Sequence, residues 1–140
     1  MLGIVIVAHN FLADSMKSVV EHVVGKLPDV LCVNVLPEDD IEQKRAEISE
    51  KIKQADKGKG VVLLTDMFGG TPSNLAISLM REGKIEVISG MNVPMLVKLV
   101  RLRRKKLAEA VQKATDSGRH YIMVASNFLE KKNDESNKNS

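Results

Sequence analysis

One histidine and one aspartate each stand directly after an aliphatic segment of the sequence, although they are far apart in the chain. His9 follows residues 2–8, and Asp66 follows residues 60–65. A carboxylate that accepts the Nδ1 proton of an imidazole fixes the ring tautomer, leaves the Nε2 lone pair outward and stabilises positive charge on the ring. The two residue types predict a nucleophilic His9 oriented by Asp66, whereas Asp66 alone is also consistent with a turn cap.

Short apolar segments alternate with helical periodicities along the chain, which is typical of an α/β fold with a mainly parallel sheet. Five segments are rich in Val and Ile and lack period-2 alternation, so they predict strands covered on both faces. These are residues 2–8, 30–36, 60–65, 85–89 and 121–125. We expect an open five-stranded sheet of order 2-1-3-4, with the fifth strand at an edge and helices on both faces.

In such a sheet, ligands bind beyond the carboxyl ends of the strands where the strand order reverses. That rule brings the ends of the first and third strands together, and with them His9 and Asp66. The same crevice is expected to include Asn10, Phe68 and Asn92, although Asn92 is equally suited to cap the helix that follows it.

A Gly-Gly pair precedes the third helix, at Gly69 and Gly70, with Thr71 as the expected N-cap and Pro72 at the first helical position. Glycines at a helix start let backbone N–H groups approach an anion closely, and the helix dipole favours negative charge there. A phosphoryl group fits such a cradle. The spacing matches neither the Walker loop nor Gly-x-Gly-x-x-Gly, so nucleotide binding has no support.

Several other kinds of function are disfavoured by composition. The formal net charge of +3 and the few aromatic residues, one Tyr and three Phe among 140 residues, argue against nucleic acid as a partner. Metal-ligand patterns are absent, so we predict no metal and no cofactor. The single cysteine, Cys32, lies in an apolar segment and is expected to be buried rather than reactive. The densest basic cluster indicates either a solvated helix end or a docking patch for an acidic protein. It comprises Arg101, Arg103, Arg104, Lys105 and Lys106.

The sequence also predicts where the protein is located and which of its residues fold. No membrane span and no secretory signal is recognisable, so we expect a cytoplasmic protein. Residues 129–140 are expected to form a disordered polar tail, which leaves residues 1–128 as the folded domain.

Three segments together resemble the mannose-family enzyme IIA component of the bacterial phosphoenolpyruvate-dependent sugar phosphotransferase system. They are His9 after the first strand, the sequence DMFGGTP at residues 66–72 and the sequence GMNVPM at residues 90–95. The similarity spans about residues 1–128. Family members often carry Gly directly after the active histidine, whereas this chain has Asn10.

The resemblance implies that His9 accepts a phosphoryl group from the phosphohistidine of HPr and passes it to a IIB component, which serves the membrane components IIC and IID. It also implies that Asp66 orients His9 and that the phosphoryl oxygens are bound by Gly69, Gly70, Thr71 and Ser73. Members of the family are homodimers, which implies that residues 121–125 form an antiparallel edge strand that pairs into the partner's sheet. Some members continue into a IIB domain, and we expect this chain to be a stand-alone subunit.

Three alternative functions remain open on the sequence. The first is a regulatory module whose affinity for a protein target changes when it is phosphorylated. The second is a phosphocarrier that serves a dihydroxyacetone kinase. The third is a hydrolase that uses His9 and Asp66 with Ser73 or Ser89 as the nucleophile, although no Gly-x-Ser-x-Gly motif is present.

Overall fold

A computed structural model describes residues 1–138, with side chains through residue 136. Four strands and six helices follow one another along this part of the chain. They are β1 (Gly3–His9), α1 (Leu12–Val24), β2 (Leu31–Val35), α2 (Ile41–Ala55), β3 (Val61–Thr65), α3 (Thr71–Ser78), β4 (Ile85–Ser89), α4 (Val93–Arg101), α5 (Leu107–His120) and α6 (Ala125–Lys138).

The four strands form one parallel sheet of order β2-β1-β3-β4, which confirms the predicted order for the first four strands. Val7 of β1 lies beside Thr65 of β3, and His9 lies beside Val35 of β2. All four strands therefore end at one edge of the sheet, and residues that follow β1 and β3 come close together there.

Both faces of the sheet are covered by helices, as the continuous apolar strands predict. Ile4, Ile6 and Leu64 point to a core that is shared with α1, α4 and α5. Val5 and Val7, which alternate with them, point to a second core shared with α2 and α3. Burial on both faces fixes the register of β1, because a slip by one residue would exchange its two sets of side chains.

One member of the basic cluster has a structural role. The Arg103 guanidinium is buried, donates to the carbonyl oxygen of Leu2 at 2.9 Å and pairs with Asp29 at 2.7 Å. The hydrogen bond from Arg103 lowers the pKa of the Asp29 carboxyl below its ordinary value, against the opposing effect of burial. Its neighbours Arg104, Lys105 and Lys106 are exposed.

The prediction of a strand at residues 121–125 is wrong for the single chain. Residues 121–124 form a turn and irregular backbone, α6 begins at Ala125, and the described residues contain four strands. The amides of Tyr121 and Ile122 donate to carbonyls at the end of α5, which draws the segment away from the sheet. A strand without a neighbour leaves its backbone groups unpaired, so a lone apolar segment does not stay extended.

Within the tail expected from residue 129, α6 extends to Lys138, and residues 139 and 140 lie outside the described residues. Every residue from 125 to 136 is exposed. Residues 125–138 contain neither Pro nor Gly, the two residues that most disfavour a helix. Between residues 1 and 138, the structure contains no helix of the length and apolarity that a bilayer span requires.

Candidate functional site

His9 and Asp66 are in direct contact at the carboxyl edge of the sheet. The Nδ1 atom of His9 lies 2.8 Å from Oδ2 of Asp66, and the main-chain N–H of His9 donates to the same oxygen at 3.1 Å. His9 is the last residue of β1 and Asp66 directly follows β3, the neighbouring strand. The contact predicted from the two strand ends is therefore present.

The hydrogen bond between Nδ1 and Asp66 determines which ring nitrogen is available for chemistry. Asp66 is an acceptor when ionised, so Nδ1 carries the proton and Nε2 keeps its lone pair. The side chain of His9 is 42% exposed, whereas that of Asp66 is 14% exposed. Burial raises the pKa of the Asp66 carboxyl, but the hydrogen bonds from His9 outweigh this, and the net pKa lies below its ordinary value. Asp66 is consequently ionised at neutral pH.

Gly70 lies against the reactive side of the His9 ring. A Cβ atom at this position would lie 2.7 Å from Cε1 and 3.2 Å from Nε2 of His9, closer than carbon atoms tolerate. Gly69, directly before it, has a φ of 90°, a conformation that side chains disfavour. The two glycines thus bring the start of α3 into contact with the imidazole.

Helix α3 begins at Thr71, the residue predicted as its N-cap, and therefore starts one residue earlier than predicted. Gly70 occupies the N-cap position, so Thr71 is the first helical residue and Pro72 the second. Within residues 1–136, the amides of Gly69, Gly70, Thr71 and Ser73 have no hydrogen-bond acceptor. Free amides beside Nε2, together with the positive end of the helix dipole, suit an anion bound there.

Asn10 has a φ of 53°, in the left-handed region. Its amide donates to the carbonyl of Val35 at 2.9 Å, and the positive φ turns the chain after β1. Asn is among the few residues besides Gly that adopt this conformation readily. The departure from the family's Gly is therefore compatible with the same turn.

A cavity of about 250 Å³ adjoins the imidazole, and some of the residues that line it were not predicted from the sequence. His9, Asn10 and Thr71 line it, and so do Asp39 and Lys44. Hydrogen bonding to Glu47 raises the pKa of the Lys44 ammonium above its ordinary value, against the opposing effect of burial, and Asp39 contributes further. The signal that could have found these residues is the loop after β2, because β2 ends at the same edge of the sheet as β1.

The rim of the site is apolar. Phe68 is 77% exposed, and Phe11 and Met67 are also exposed on the loops that follow β1 and β3. Large apolar side chains grouped around a reactive histidine are typical of a surface that binds another protein.

The side chains of Asn92, expected at the crevice, and of Ser73, expected to bind phosphoryl oxygens, make other hydrogen bonds. Asn92 accepts from the amide of Met95 at 3.0 Å and donates to the carbonyl of Gly118 at 2.9 Å, so it caps α4 and ties it to α5. The Ser73 side chain is buried and bonds to Ser89. In the part of the chain whose side chains are described, neither serine hydroxyl forms a hydrogen bond with His9. This disfavours the hydrolase alternative.

The remaining histidines and the cysteine lie apart from this site. His22 is exposed on α1, and His120 packs edge-on against Tyr121 with ring centroids 5.1 Å apart. Burial raises the pKa of the Cys32 thiol to about 11, which makes it unreactive at neutral pH. Among the described residues, no group of three or more His, Cys, Asp or Glu side chains is arranged to hold a metal ion.

Comparison with known proteins identifies similar chains. Residues 3–116 match a family model described as the PTS system fructose IIA component. The PTS system mannose-specific EIIAB component of Escherichia coli (strain K12) is 30% identical over 124 residues, which cover 86% of this chain and 38% of that protein. The chain therefore spans well under half the length of that relative. The sorbose-specific EIIA component of Lacticaseibacillus casei is 29% identical over 99 residues, 70% of this chain and 71% of that protein.

A solved structure shares both fold and sequence with this chain. Phosphotransferase system component EIIA from Streptococcus agalactiae superposes with a TM-score of 0.82 at 29% identity, covering 91% of this chain and 99% of that one.

Proposed function

Because the chain belongs to the PTS system fructose IIA component family, we propose that it carries a phosphoryl group on His9 between two protein partners. The donor is the phosphohistidine of HPr, and the acceptor is a IIB component that phosphorylates sugar at the membrane with IIC and IID. The functional domain is residues 1–128. The observation that carries this proposal is the contact between Nδ1 of His9 and Oδ2 of Asp66 at 2.8 Å beside unpaired amides.

The chemistry is an in-line displacement at phosphorus. The Nε2 lone pair of neutral His9 forms the new P–N bond while the P–N bond to the donor imidazole breaks, and the donor ring leaves with that electron pair. His9 keeps its proton on Nδ1, so its ring becomes positively charged. Asp66, ionised and 2.8 Å away, stabilises that charge. Both ends of the reaction are phosphoramidates of similar energy, so the transfer is reversible.

The start of α3 supplies the phosphoryl-binding groups. Main-chain amides of Gly69, Gly70, Thr71 and Ser73 are the donors that we assign to the phosphoryl oxygens. We also assign the hydroxyl of Thr71 to them, because this residue lines the cavity beside His9. Donors fixed in advance toward developing charge stabilise a transition state without reorganisation. Ser73 contributes through its main chain alone, because its side chain bonds to Ser89.

Docking of HPr and of the IIB component is assigned to the apolar rim around His9. Phe11, Met67 and Phe68 are exposed and lie on the two loops that carry the reacting groups. An apolar contact surface around the histidine excludes water from the transfer, which protects the phosphoryl group from hydrolysis.

We further propose that the chain forms a homodimer. Exposed apolar side chains extend from Tyr121 through Ile122, Met123 and Val124, beside Val23 on α1. They adjoin an open groove of about 880 Å³ between α1, α4 and α5. We assign this surface to contact with a second copy of the chain.

The assignment of His9 is tested by incubating the protein with phosphorylated HPr and measuring its mass. We expect one added phosphoryl group on the wild type and none on the His9→Ala variant. His22→Ala is the matched control, because His22 is an exposed histidine on α1, and it should be labelled as the wild type is. Undiminished labelling of His9→Ala would remove His9 from the mechanism.

A further inference from the structure

Three hydroxyl groups form a hydrogen-bonded chain beneath the site. Thr65 Oγ1 donates to Ser89 Oγ at 2.8 Å, and Ser89 Oγ lies 3.1 Å from Ser73 Oγ. Thr65 and Ser73 are both 0% exposed. Buried hydroxyl groups are destabilising unless they are paired, so these three depend on one another.

These hydrogen-bonded hydroxyls join three segments that meet at the carboxyl edge of the sheet. Thr65 ends β3 directly before Asp66, Ser73 lies in the first turn of α3, and Ser89 ends β4. The main chain reinforces the same junction, since the carbonyl of Thr65 accepts from the amides of Gly90 and Met91, both at 3.1 Å. Ser89 is the central member and bonds to both of the others.

The rest of β3, from Val61 to Leu64, is aliphatic and fully buried. A valine in place of Thr65 and an alanine in place of Ser73 or Ser89 would satisfy the demands of packing alone. What the hydroxyl groups add is direction. Hydrogen bonds have a narrow range of distance and angle, whereas apolar contacts do not. The three hydrogen-bonded hydroxyls therefore fix the first turn of α3 relative to the end of β3.

We propose that Ser89 is a positioning residue for phosphoryl transfer, acting through Thr65 on Asp66 and through Ser73 on the amides at the start of α3. This inference rests on the proposed function of His9. The main chain at Gly70 runs so close to the His9 ring that a Cβ atom there would lie 2.7 Å from Cε1, so a small displacement of α3 changes the geometry at the imidazole. Misplacement by about 1 Å slows a reaction by as much as about 100-fold.

The first test separates positioning from stability by comparing Ser89→Ala with a triple variant, Thr65→Val/Ser73→Ala/Ser89→Ala. Ser89→Ala leaves two buried hydroxyls without a partner, so it should lower both the unfolding midpoint in urea and the rate of transfer from phosphorylated HPr. The triple variant removes every unpaired hydroxyl, so it should regain stability. We expect its kcat to stay about 10-fold below wild type at an unchanged KM. Recovery of the rate together with stability would show a purely structural role and overturn the proposal.

Two control variants sharpen this comparison. Ser78→Ala removes a hydroxyl from the other end of α3, where it donates to the carbonyl of Leu75 at 2.6 Å, and it should leave the rate of transfer unchanged. Ser89→Thr retains the hydroxyl and should transfer faster than Ser89→Ala. A rate for Ser78→Ala as low as that for Ser89→Ala would contradict the inference, because any loss of a hydroxyl from α3 would then have the same effect.

A second readout needs no phosphoryl transfer, and it distinguishes failure of this inference from failure of the proposed function. Nuclear magnetic resonance of the unphosphorylated protein reports the His9 ring and the amides of Gly70 and Thr71. Ser89→Ala should shift all three sets of signals, while Ser78→Ala should leave them in place. Absence of these shifts would overturn the inference even if His9 is phosphorylated normally. Their presence supports the coupling even if HPr is not the donor.

Discussion

His9 is held to Asp66 at two points, through its imidazole ring and through its main-chain amide. Both bonds end on one carboxylate oxygen, so the position of Asp66 sets the backbone at the end of β1 as well as the ring tautomer. A residue that acts on tautomer, orientation and charge together should be more sensitive to substitution than an ordinary surface carboxylate.

The first prediction concerns Asp66→Asn. An amide donates to Nδ1 as readily as it accepts from it, so the variant no longer holds the proton on Nδ1, and the tautomer whose protonated Nε2 has no lone pair for attack becomes populated. We expect phosphoryl transfer from phosphorylated HPr to slow by about 100-fold or more. The rate is measured by quenched-flow labelling. Asp56→Asn, which changes an exposed carboxylate that accepts from Gly58, should transfer at the wild-type rate. Equal rates for the two variants would mean that Asp66 does not orient His9.

The second prediction is the pH dependence of stability. The pKa of Asp66 is lower in the folded protein than its ordinary value of 3.8, so the unfolded chain binds the proton more readily. The ionised carboxylate thus contributes stability that is fully present above pH 3.8 and is lost as the pH falls through the lower, folded pKa. The difference in unfolding free energy between wild type and Asp66→Asn, measured in urea, should therefore shrink below pH 3.8. A difference that grows toward low pH would have the wrong sign.

The start of α3 is the element to which we assign anion binding. Its position relative to β1 depends on close approach of the main chain at Gly70, which any side chain would prevent. The motif DMFGGTP predicts a turn and a helix start from the sequence alone, and both are present. The side chain of Ser73 was harder to predict, because its direction depends on Ser89, which belongs to a strand 16 residues later in the chain.

The third prediction is Gly70→Ala. A methyl group 2.7 Å from Cε1 of His9 must displace either the ring or the loop, so we expect transfer to slow by more than about 10-fold. Gly83→Ala provides the control, because its φ of 73° makes alanine unfavourable but no atom lies within 4 Å of the added Cβ. That variant should lose some stability and keep its rate, as measured by urea unfolding and quenched-flow labelling.

At the scale of the whole molecule, the surface formed by Val23 and residues 121–124 lies on the side of the sheet that α1, α4 and α5 cover, and it is apolar. Ile122 is 76% exposed, which is unusual for a large aliphatic side chain unless another chain covers it. Neighbouring positions share this exposure, so the surface is continuous.

The fourth prediction is that Ile122→Lys converts a dimer into a monomer. Sedimentation equilibrium of the wild type should give about twice the chain mass of 15.4 kDa, because burial of this apolar surface is the driving force for association. The variant should sediment at the chain mass. Met80→Lys, at an exposed apolar position on another part of the surface, should remain dimeric. A monomeric wild type would contradict the assignment of this surface.

How far the sequence predicts this fold depends on the range of the interactions involved. Continuous aliphatic segments predict β1 to β4 and their order, and parallel order then brings His9 and Asp66 together. Residues 121–125 have a strand-like composition, but their conformation depends on what lies beside them, which no local pattern contains. Lys44 reaches the site from α2, and its place there depends on the path of the loop after β2.

The central claim is that Nε2 of His9 receives the phosphoryl group because Asp66 holds the proton on Nδ1. Nitrogen-15 and phosphorus-31 magnetic resonance of the labelled, phosphorylated protein identify the substituted nitrogen directly. We predict a single phosphoryl group on Nε2 of His9 and a proton on Nδ1. A phosphoryl group on Nδ1, or on any residue other than His9, would contradict the account.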